Sequence, residues 1–273
     1  MANRVAQKTE TYRVVPGKQI HLAAIPTDAK GLYTGKKDAR AELKNLKKQI
    51  GELVQRLGAE SSRAVLVILQ GVDAAGKDGA VRHVFSGMNP ELCRVTAFRE
   101  PDAEEQKHDY LWRIYRAMPE KGVLGVFNRS HYEDVLVLRA RGKLSTQETK
   151  KRLRQIEDAE RSWSENGITL RKFFLHISKR EQAKRFQARL HNPDKHWKVE
   201  ESDFEDRRRW PSFQRAYEEA IFHTAREPAP WYVVPADHKW YRDVVIADVL
   251  LDTLRSMDPK YPRRSLKELN LKV

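Results

Sequence analysis

The chain is poor in cysteine and has no long hydrophobic run. Its 273 residues include one cysteine, Cys93, which excludes an internal disulfide and a zinc site built from several cysteines. No stretch of 18 consecutive apolar residues occurs, and the first residues are polar, which argues against a membrane span and a signal peptide. We therefore expect a soluble protein of the cytoplasm.

Acidic residues are fewer than basic ones. The 52 Lys and Arg residues outnumber the 38 Asp and Glu residues, so the formal net charge is +14. A balance of this kind favours a polyanionic partner, which includes nucleic acid, a phosphate polymer, a nucleotide or a membrane surface. Hydrophobic residues make up 40% of the chain, enough for a core in one large domain or two small ones.

A glycine-rich segment at residues 71–79 stands out. It follows an apolar run at residues 64–69, which predicts a buried strand, and it leads into a predicted helix at residues 79–85. Strand, glycine-rich turn and helix are the setting of a phosphate-binding loop, in which backbone N–H groups and the helix N-terminus attract the anion. An ordinary strand-to-helix turn is the alternative interpretation.

The loop departs from the common nucleotide-binding motif at two positions. Gly71, Gly76 and Lys77 have the spacing of a Walker A motif, but Asp78 stands where Ser or Thr is usual. Asp73 also places a carboxylate inside the loop. That charge is unfavourable beside an anionic ligand unless a divalent cation or a protonated phosphate lies next to it.

Apolar runs alternate with helical patterns along the rest of the chain. This alternation predicts an α/β fold with a central parallel sheet covered by helices on both faces. The predicted strands cover residues 64–69, 94–98, 122–127, 168–177 and 231–234, and the predicted helices cover residues 39–57, 79–85, 103–118, 133 onward, 146–165, 179–190 and 240–257. Ligands of such sheets bind outside the carboxyl ends of the strands, where residues 71–77 and 128–130 would meet.

Leucines of the first predicted helix, residues 39–57, form one stripe. The stripe includes Leu43 and Leu57, and it has two interpretations: docking on the sheet, which is the default, or pairing of two subunits. Residues 1–38, which contain several prolines and glycines among polar residues, predict an extended arm before this helix.

Polar residues follow the third predicted strand. In P-loop enzymes a neighbouring strand commonly ends in a carboxylate that helps to hold magnesium. Here the position is Asn128, which can coordinate or hydrogen-bond without adding charge. The negative charge for a metal would come mainly from Asp73, with Asp78, Glu133 and Asp134 as further candidates. Arg129 offers a planar fork for phosphate, and a surface ion pair is the alternative for it.

A third group of candidates lies between residues 180 and 205. Arg185 and Arg189 are four residues apart and share one helix face, and Lys198 follows after a turn. A basic helix leading to a mobile turn suits a lid that closes over phosphates, although a solvated basic face is an equally good interpretation of the composition. A second basic run, at residues 139–154, either lines a polyanion track or is simply exposed.

Taken in order, these motifs resemble those of the family-2 polyphosphate kinases. The resemblance rests on residues 71–79, 101–113, 127–135, 196–198, 229–232 and 235–242, and it holds from about residue 35 to residue 257. It implies a P-loop kinase fold with a helical lid. The implied organisation is an N-terminal arm at residues 1–38, a kinase domain at 39–257 with its lid at about 180–205, and a basic C-terminal tail at 258–273.

The resemblance implies reversible, magnesium-dependent transfer of a phosphoryl group between inorganic polyphosphate and nucleotides. Transfer from polyphosphate would convert ADP to ATP and also AMP to ADP. Two magnesium ions would take part in turnover. The resemblance also implies a homo-oligomer, a dimer or a tetramer, with no nucleic-acid or membrane partner. Two alternative functions compete with this one: an ATP-dependent nucleoside monophosphate kinase, against which Asp73 argues, and a nucleic-acid-binding protein, for which no reader motif is present.

By position in the family pattern, Asp73 would hold magnesium and orient the accepting phosphate, and Lys77 would bind the transferred group. Arg129 would contact phosphate and Arg189 would act from the lid. The complete predicted site consists of the catalytic residues Asp73, Lys77, Arg129 and Arg189, the phosphate- or nucleotide-binding residues Gly71, Ala74, Ala75, Gly76, Asp78, Asn128, Glu133, Arg185 and Lys198, and the metal ligands Asp73 and Asn128. Many relatives carry Asp in place of Asn128. Glu133 followed by Asp134 resembles the branch that accepts both AMP and ADP.

Overall fold

A single five-stranded parallel sheet forms the centre of the molecule. The computed structural model describes residues 10–31 and 33–263. The strands are β1 (Ala64–Gln70), β2 (Cys93–Ala97), β3 (Leu124–Asn128), β4 (Ile168–His176) and β5 (Trp231–Pro235), and their order in the sheet is β2-β3-β1-β4-β5. All four neighbouring pairs run parallel. The predicted α/β fold with a central parallel sheet is therefore confirmed.

Helices cover the sheet. They are α1 (Lys36–Glu60), α2 (Lys77–Val84), α3 (Trp112–Ala117), α4 (Glu133–Ala140), α5 (Thr146–Glu165), α6 (Lys179–Leu190), α7 (Glu201–Arg208), α8 (Trp210–Thr224) and α9 (Lys239–Met257). Short 3-10 turns lie at Leu22–Ala24, Glu105–Lys107 and Pro193–Lys198. Across residues 10–31 and 33–263, no helix has both the length and the apolarity to cross a bilayer.

Strand β1 lies in the middle of the sheet and is buried along its whole length. Its side chains alternate between two cores, as the two-residue period of a strand requires. Val65 and Val67 join the larger core, and Leu66 and Ile68 join a smaller one that includes Phe127. Burial on both faces explains why β1 is an unbroken apolar run, and it fixes the position at which the glycine-rich loop leaves the sheet.

The leucine stripe of α1 docks inside the chain. Leu46, Ile50 and Leu57 are buried, and α1 packs along α9. Leu43 is half-buried at the margin of the same core. The stripe thus docks inside the chain, as the default interpretation expects, but its main partner is α9 instead of the sheet. The homo-oligomer stays a prediction.

The described part of the N-terminal arm lies along the last strand. The N–H of Val14 donates to the carbonyl of Trp231 (2.8 Å), and the N–H of Val233 donates to the carbonyl of Tyr12 (2.8 Å). Leu22, in the first 3-10 turn, is fully buried. The arm is thus packed against the domain. Residues 1–9, and residues 264–273 of the predicted C-terminal tail, lie outside the described residues.

The continuous helix predicted at residues 103–118 is wrong: the segment is divided at Asp109, while Asp102 precedes it and binds the N–H groups of its first turn. Asp102 Oδ1 accepts hydrogen bonds from the N–H groups of Glu104 (2.9 Å) and Glu105 (2.8 Å), and Asp109 Oδ1 accepts from Leu111 (2.9 Å). Aspartate side chains that bind nearby backbone N–H groups favour turns over continuous helix. The segment therefore forms one 3-10 turn and the short helix α3.

Helices α7 and α8 had no counterpart among the predicted elements. Pro211 gives the impression of a break in this stretch, but it occupies the first turn of α8, where a missing N–H costs no helical hydrogen bond. Together with α6 and the turn Pro193–Lys198, α7 makes up the segment that the sequence marks as a lid.

Candidate active site

The glycine-rich loop connects β1 to α2. Ala74 (φ 61°) and Gly76 (φ 101°) adopt the left-handed backbone region, which turns the chain sharply before the helix. Helix α2 begins at Lys77, two residues earlier than predicted. Lys77 and Asp78 therefore lie in the first helical turn, where backbone N–H groups have no partner within the helix and the helix dipole is positive.

The end of β3 lies directly beside this loop. Leu69 of β1 pairs with Asn128 of β3, so the two strands end at the same level, as predicted for residues 71–77 and 128–130. The N–H of Arg129 donates to the carbonyl of Leu69 (3.0 Å). Arg129 has a φ of 64°, which costs an arginine about 1 kcal/mol or more. The structure holds Arg129 in this position next to the loop.

Asp73 and Arg129 are in direct contact. Arg129 Nη2 donates to Asp73 Oδ1 at 3.0 Å. Burial disfavours the charged guanidinium, but the carboxylates of Glu133 and Asp73 outweigh it and hold the pKa of Arg129 above its ordinary value. The carboxylate inside the loop is thus balanced by a cation from the neighbouring strand.

Lys77 lies buried beneath the loop. Its Nζ donates to the carbonyl of Gly71 and lies 3.5 Å from that of Val72. Burial, and next the charge of Arg129, lower the pKa of Lys77 in spite of nearby acids, of which Asp73 and Glu133 contribute most. The cation sits inside the loop and is held by the loop's own carbonyl groups.

Glu133, at the start of α4, faces the same cations. With its amide nitrogen turned toward Glu133, the buried Gln70 donates to Glu133 Oε1 (2.8 Å) and accepts from Ser130 Oγ (3.1 Å). Burial raises the pKa of Glu133, while the charges of Arg129 and Lys77 oppose the rise. Gln70 was not predicted; the one sequence signal for it is a polar residue at the end of an otherwise apolar strand.

Asp78 links the loop to β3 and to the predicted lid. Asp78 Oδ1 accepts from Asn128 Nδ2 (2.9 Å), and Oδ2 accepts from Lys198 Nζ (3.0 Å). Burial raises the pKa of Asp78, but the hydrogen bonds from Asn128 and Lys198 outweigh it, so the pKa lies below its ordinary value. The structure thus brings three of the predicted site residues together in one chain of contacts.

Side-chain contacts connect α6 to the glycine-rich loop and α7 to the end of α4. Gln182 Nε2 donates to the carbonyl of Asp73 (3.0 Å) and Gln182 Oε1 accepts from Arg207 (2.9 Å). Arg141, just after α4, binds Asp206 of α7 with two hydrogen bonds of 2.9 and 2.8 Å. Neither Gln182 nor Asp206 was predicted. Both lie in a stretch of the sequence where the basic residues give the stronger signal.

Arg189 remains within the predicted lid. Its Nη1 donates to the carbonyl of Lys198 (3.2 Å) and lies 3.6 Å from Asp203 Oδ2. Burial, and next the charge of Asp73, raise the pKa of Asp203 to about 6. In this structure Arg189 therefore binds groups of the predicted lid itself, at Lys198 and Asp203.

Arg185 is not available for the predicted phosphate contact. The side chain is buried, with 7% exposed. A guanidinium has five N–H groups, and here the five hydrogen bonds go to Glu181 Oε1 and to the carbonyls of Ala74, Ala75, Ala236 and Asp237. In this arrangement Arg185 binds the back of the loop instead of a ligand, because the protein itself supplies an acceptor for each of its N–H groups.

A cavity of about 510 Å³ adjoins the site at the carboxyl end of β2. Its wall combines apolar surface from Phe98 and Trp112 with the guanidinium groups of Arg113 and Arg116. Arg116 stacks over the Trp112 ring at 4.7 Å, and Arg113 pairs with Asp134 at 2.9 Å. Ala97 pairs with Asn128, which places this cavity next to the end of β3, the strand between β2 and β1.

The protein groups at the site do not form a closed metal cage. Over the described ranges 10–31 and 33–263, no cluster of three or more His, Cys, Asp or Glu side chains is arranged to hold a metal. Magnesium is commonly held by one or two carboxylates while phosphates and water complete its shell. The oxygen atoms of Asp73, Asp78 and Asn128 fit a cation of that kind.

A parallel sheet, a glycine-rich loop entering a helix N-terminus, a loop lysine and an overlying basic segment define a P-loop kinase fold. The family model described as "Polyphosphate kinase 2 (PPK2)" matches residues 33–262. The chain belongs to the polyphosphate kinase 2 family.

Curated relatives and a solved structure agree with this family. The chain is 46% identical over 253 residues to an "AMP/ADP-polyphosphate phosphotransferase" of Meiothermus ruber, covering 92% of this chain and 95% of the relative. It is 40% identical over 267 residues to an "ADP-polyphosphate phosphotransferase" of Rhodopseudomonas palustris, covering 93% and 92%. The crystal structure of polyphosphate kinase 2 from Arthrobacter aurescens matches with a TM-score of 0.90 and 38% identity, over 97% of this chain and 93% of that one.

Proposed function

We propose that this protein transfers phosphoryl groups reversibly between inorganic polyphosphate and adenine nucleotides, forming ATP from ADP and ADP from AMP. The observation that carries the proposal is the carboxylate of Asp73 inside the phosphate-binding loop, 3.0 Å from Arg129 and beside the buried Lys77. A loop that carries its own anion is poorly suited to hold ATP in the usual way. It suits an acceptor and a donor phosphate that meet around a shared cation.

The names of the relatives support the substrate class. The Meiothermus ruber relative is named for both AMP and ADP, and the Rhodopseudomonas palustris relative for ADP. Glu133 followed by Asp134 favours AMP as an additional acceptor by the family pattern. The +14 charge suits a chain polyanion, whose binding should weaken as the salt concentration rises.

The chemistry asks for little beyond alignment and charge neutralisation. An oxygen of the acceptor phosphate attacks the terminal phosphorus of polyphosphate in line, that bond forms, and the bond to the bridging oxygen breaks. Lys77 and Arg129 would stabilise the charge on the transferred group, and Asp73 would orient the accepting phosphate. Magnesium, when bound through Asp73 with Asp78 or Asn128 beside it, would supply further neutralisation, and we expect two ions in turnover.

The cavity beside β2 is the proposed position of the nucleotide. Its volume of about 510 Å³ lies in the range of ordinary ligand pockets, roughly 300 to 1,000 Å³. The Trp112 ring and the Phe98 ring offer apolar surface for a base, and Arg116 offers N–H groups for phosphate or ribose oxygens. Arg113 is buried and bound to Glu105 and Asp134, so it supports the wall of the cavity. A nucleotide held there would point its phosphates toward Asn128 and the loop.

The segment at about residues 180–205 is proposed to act as the lid. Lys198 Nζ lies 3.0 Å from Asp78 Oδ2, so this side chain is close enough to the loop to bind a phosphate there. Arg189 would have to leave the carbonyl of Lys198 to reach a ligand. Closure over bound phosphates would exclude water and add cationic charge.

The decisive experiment mixes the purified protein, magnesium and polyphosphate with ADP or with AMP, and separates the nucleotides by chromatography. ATP from ADP, and ADP from AMP, are expected. No product from either nucleotide would overturn the proposal. Parallel reactions with AMP and ATP but without polyphosphate test the nucleoside monophosphate kinase alternative, and omission of magnesium tests the metal.

A homo-oligomer, a dimer or a tetramer acting in the cytoplasm, completes the proposal. Light scattering on the purified protein measures the subunit number directly, and a monomer at all concentrations would contradict this part. Neither nucleic acid nor membrane is expected as a partner.

A further inference from the structure

Two buried arginine side chains meet behind the phosphate-binding loop. Arg185 comes from α6 and Arg242 from α9, and they are 7% and 0% exposed. The proposed transfer reaction uses neither of them, because their guanidinium groups face the loop backbone instead of the ligand side. Buried arginines are costly unless they are well paired, so their presence at this position calls for a physical role.

Arg185 turns the carbonyl groups of the loop outward. Its Nη1 donates to the carbonyl oxygens of Ala74 (2.9 Å) and Ala75 (2.8 Å). In a trans peptide the C=O and the N–H point in opposite directions. A carbonyl of Ala75 that is held by Arg185 therefore turns the N–H of Gly76 to the other side of the loop. Backbone N–H groups that face one side are what an anion nest requires.

Arg242 packs against the same turn from the side of α9. A Cβ atom at Gly76 would overlap Arg242 Nη1, and one at Gly79 would lie 3.3 Å from Arg242 Nη2. Gly76 also has a φ of 101°, so the position demands glycine for two independent reasons. The guanidinium of Arg242 thus fills the space that any larger residue would need.

Arg242 is itself held in place. Its Nε and Nη2 both donate to Asp243 Oδ1 (2.9 and 2.5 Å), and Asp243 Oδ2 lies 2.8 Å from His83 Nδ1 on α2. Arg242 Nη1, the atom beside Gly76, has no hydrogen-bond partner among the residues that the structure describes. The contacts connect α9 to α2, the helix whose N-terminus completes the loop.

We propose that Arg185 and Arg242 are positioning residues that hold the phosphate-binding loop in its anion-accepting shape before a phosphate arrives. A loop that is ordered in advance loses less conformational freedom on binding, which strengthens binding and keeps reacting groups aligned. The inference rests on the proposed phosphoryl transfer, and it adds two residues that never touch the substrate.

The test uses Arg185→Lys and Arg242→Lys, which keep the positive charge but lose the planar fork. Arg171→Lys is the matched control: Arg171 lies on β4, and its described hydrogen bonds go to Thr253 Oγ1 (2.8 Å) and to the carbonyl of Leu170 (2.7 Å) instead of the loop. For each variant, calorimetry measures the binding of inorganic tripolyphosphate with magnesium, and steady-state kinetics measure kcat and KM. The melting temperature is recorded in parallel.

We expect both loop variants to bind tripolyphosphate about tenfold more weakly and to lose kcat, while the nucleotide KM changes less and the control stays within about twofold. Added guanidinium ion should partly restore an Arg185→Ala variant. Wild-type affinity and kcat in both lysine variants would overturn the inference. A wild-type protein that binds tripolyphosphate but transfers nothing would overturn the proposed function, while the binding comparison would still decide the inference.

Gly79→Ala decides the matter if the lysine variants fail to fold. Alanine is favoured over glycine within a helix by about 1 kcal/mol, so the fold is expected to be retained. The new Cβ would press on Arg242 Nη2 and displace it by a few tenths of an ångström. Weaker tripolyphosphate binding at an unchanged or raised melting temperature supports the inference, and unchanged binding refutes it.

Discussion

Asp73 and Arg129 form an ion pair across the mouth of the phosphate-binding loop, with Arg129 Nη2 3.0 Å from Asp73 Oδ1. The proposed reaction needs both groups in their charged forms, and in this structure the charge of each balances that of the other. A phosphate that binds Arg129 therefore competes with Asp73 for the guanidinium, and a cation that binds Asp73 competes with Arg129 for the carboxylate. The two events favour each other, which couples metal binding to phosphate binding.

The variant Asp73→Asn tests this coupling. With magnesium present, we expect the rate of phosphoryl transfer to fall by roughly a hundredfold or more, because the site loses its central carboxylate. Without magnesium, binding of tripolyphosphate should become tighter, because Arg129 no longer has a competing carboxylate. Calorimetry and a nucleotide assay measure the two effects. Asp252→Asn, an exposed aspartate of α9, serves as the control, and weaker metal-free binding by Asp73→Asn would contradict the coupling.

Asp203 should make stability depend on pH. Burial and the charge of Asp73 raise its pKa from 3.8 to about 6, so between these values the folded state holds the proton more firmly than the unfolded state. The free energy of unfolding therefore falls as the pH rises through this window, and Asp203 destabilises the fold at neutral pH.

We therefore expect Asp203→Asn to stabilise the ligand-free protein by about 1 kcal/mol at neutral pH, with the gain vanishing near pH 4. Denaturant titrations across this range give the difference between variant and wild type. A gain that is the same at every pH would show that the effect comes from packing instead of ionisation.

The Arg141–Asp206 pair should hold α7 over the loop. Arg141→Lys keeps the charge but cannot make both hydrogen bonds, so we expect backbone amides in residues 193–208 to exchange hydrogen about tenfold faster. Saturating polyphosphate should reverse much of the increase. Arg139→Lys is a matched control, since Arg139 pairs with Glu219 of α8 outside this segment. Equal hydrogen-exchange rates in the two variants would show that the Arg141–Asp206 pair does not hold α7 over the loop.

A buried ion pair between Lys172 of β4 and Glu160 of α5 should be important for stability. Lys172 Nζ donates to Glu160 Oε2 and to the carbonyl of Thr224 (2.7 Å), and Tyr132 donates to Glu160 Oε1 (2.9 Å). Lys172→Met is expected to cost roughly 3 to 5 kcal/mol, because it leaves a carboxylate buried without its cation.

The double variant Lys172→Met with Glu160→Gln should recover part of that loss, because a neutral amide can still accept from Tyr132. Chemical denaturation of the single and double variants provides the cycle. A double variant less stable than Lys172→Met would show that the charge of Glu160 is not the source of the cost.

Much of the fold follows from the sequence because its strongest signals are local. The unbroken apolar run of β1 and the glycine turn after it need no tertiary information, and both lie where the pattern predicts them. The helix expected at residues 103–118 is divided at Asp109, whose side chain is compatible with either a helix start or a turn. Helix propensity alone does not choose between the two.

The site was less predictable, because its members act through partners that are distant in the chain. The positive charge of Arg185 suggested a phosphate ligand, but its five hydrogen bonds include carbonyls more than 50 residues away. Gln70 and Gln182 belong to no motif, and Arg242 ends the motif at residues 235–242, which assigns it no role. Their positions become meaningful only when β1, α6 and α9 meet at the loop.

The contacts of Tyr12 and Val14 with β5 have a consequence for self-association. A strand at the border of a sheet presents unpaired backbone groups to any passing chain, and β5 is such a strand. The hydrogen bonds from Val14 to Trp231 and from Val233 to Tyr12 occupy that border with the protein's own N-terminal segment. A chain shortened beyond Val14 would expose it, and aggregates or spurious oligomers formed by such a chain would report on the uncovered strand instead of on the native assembly.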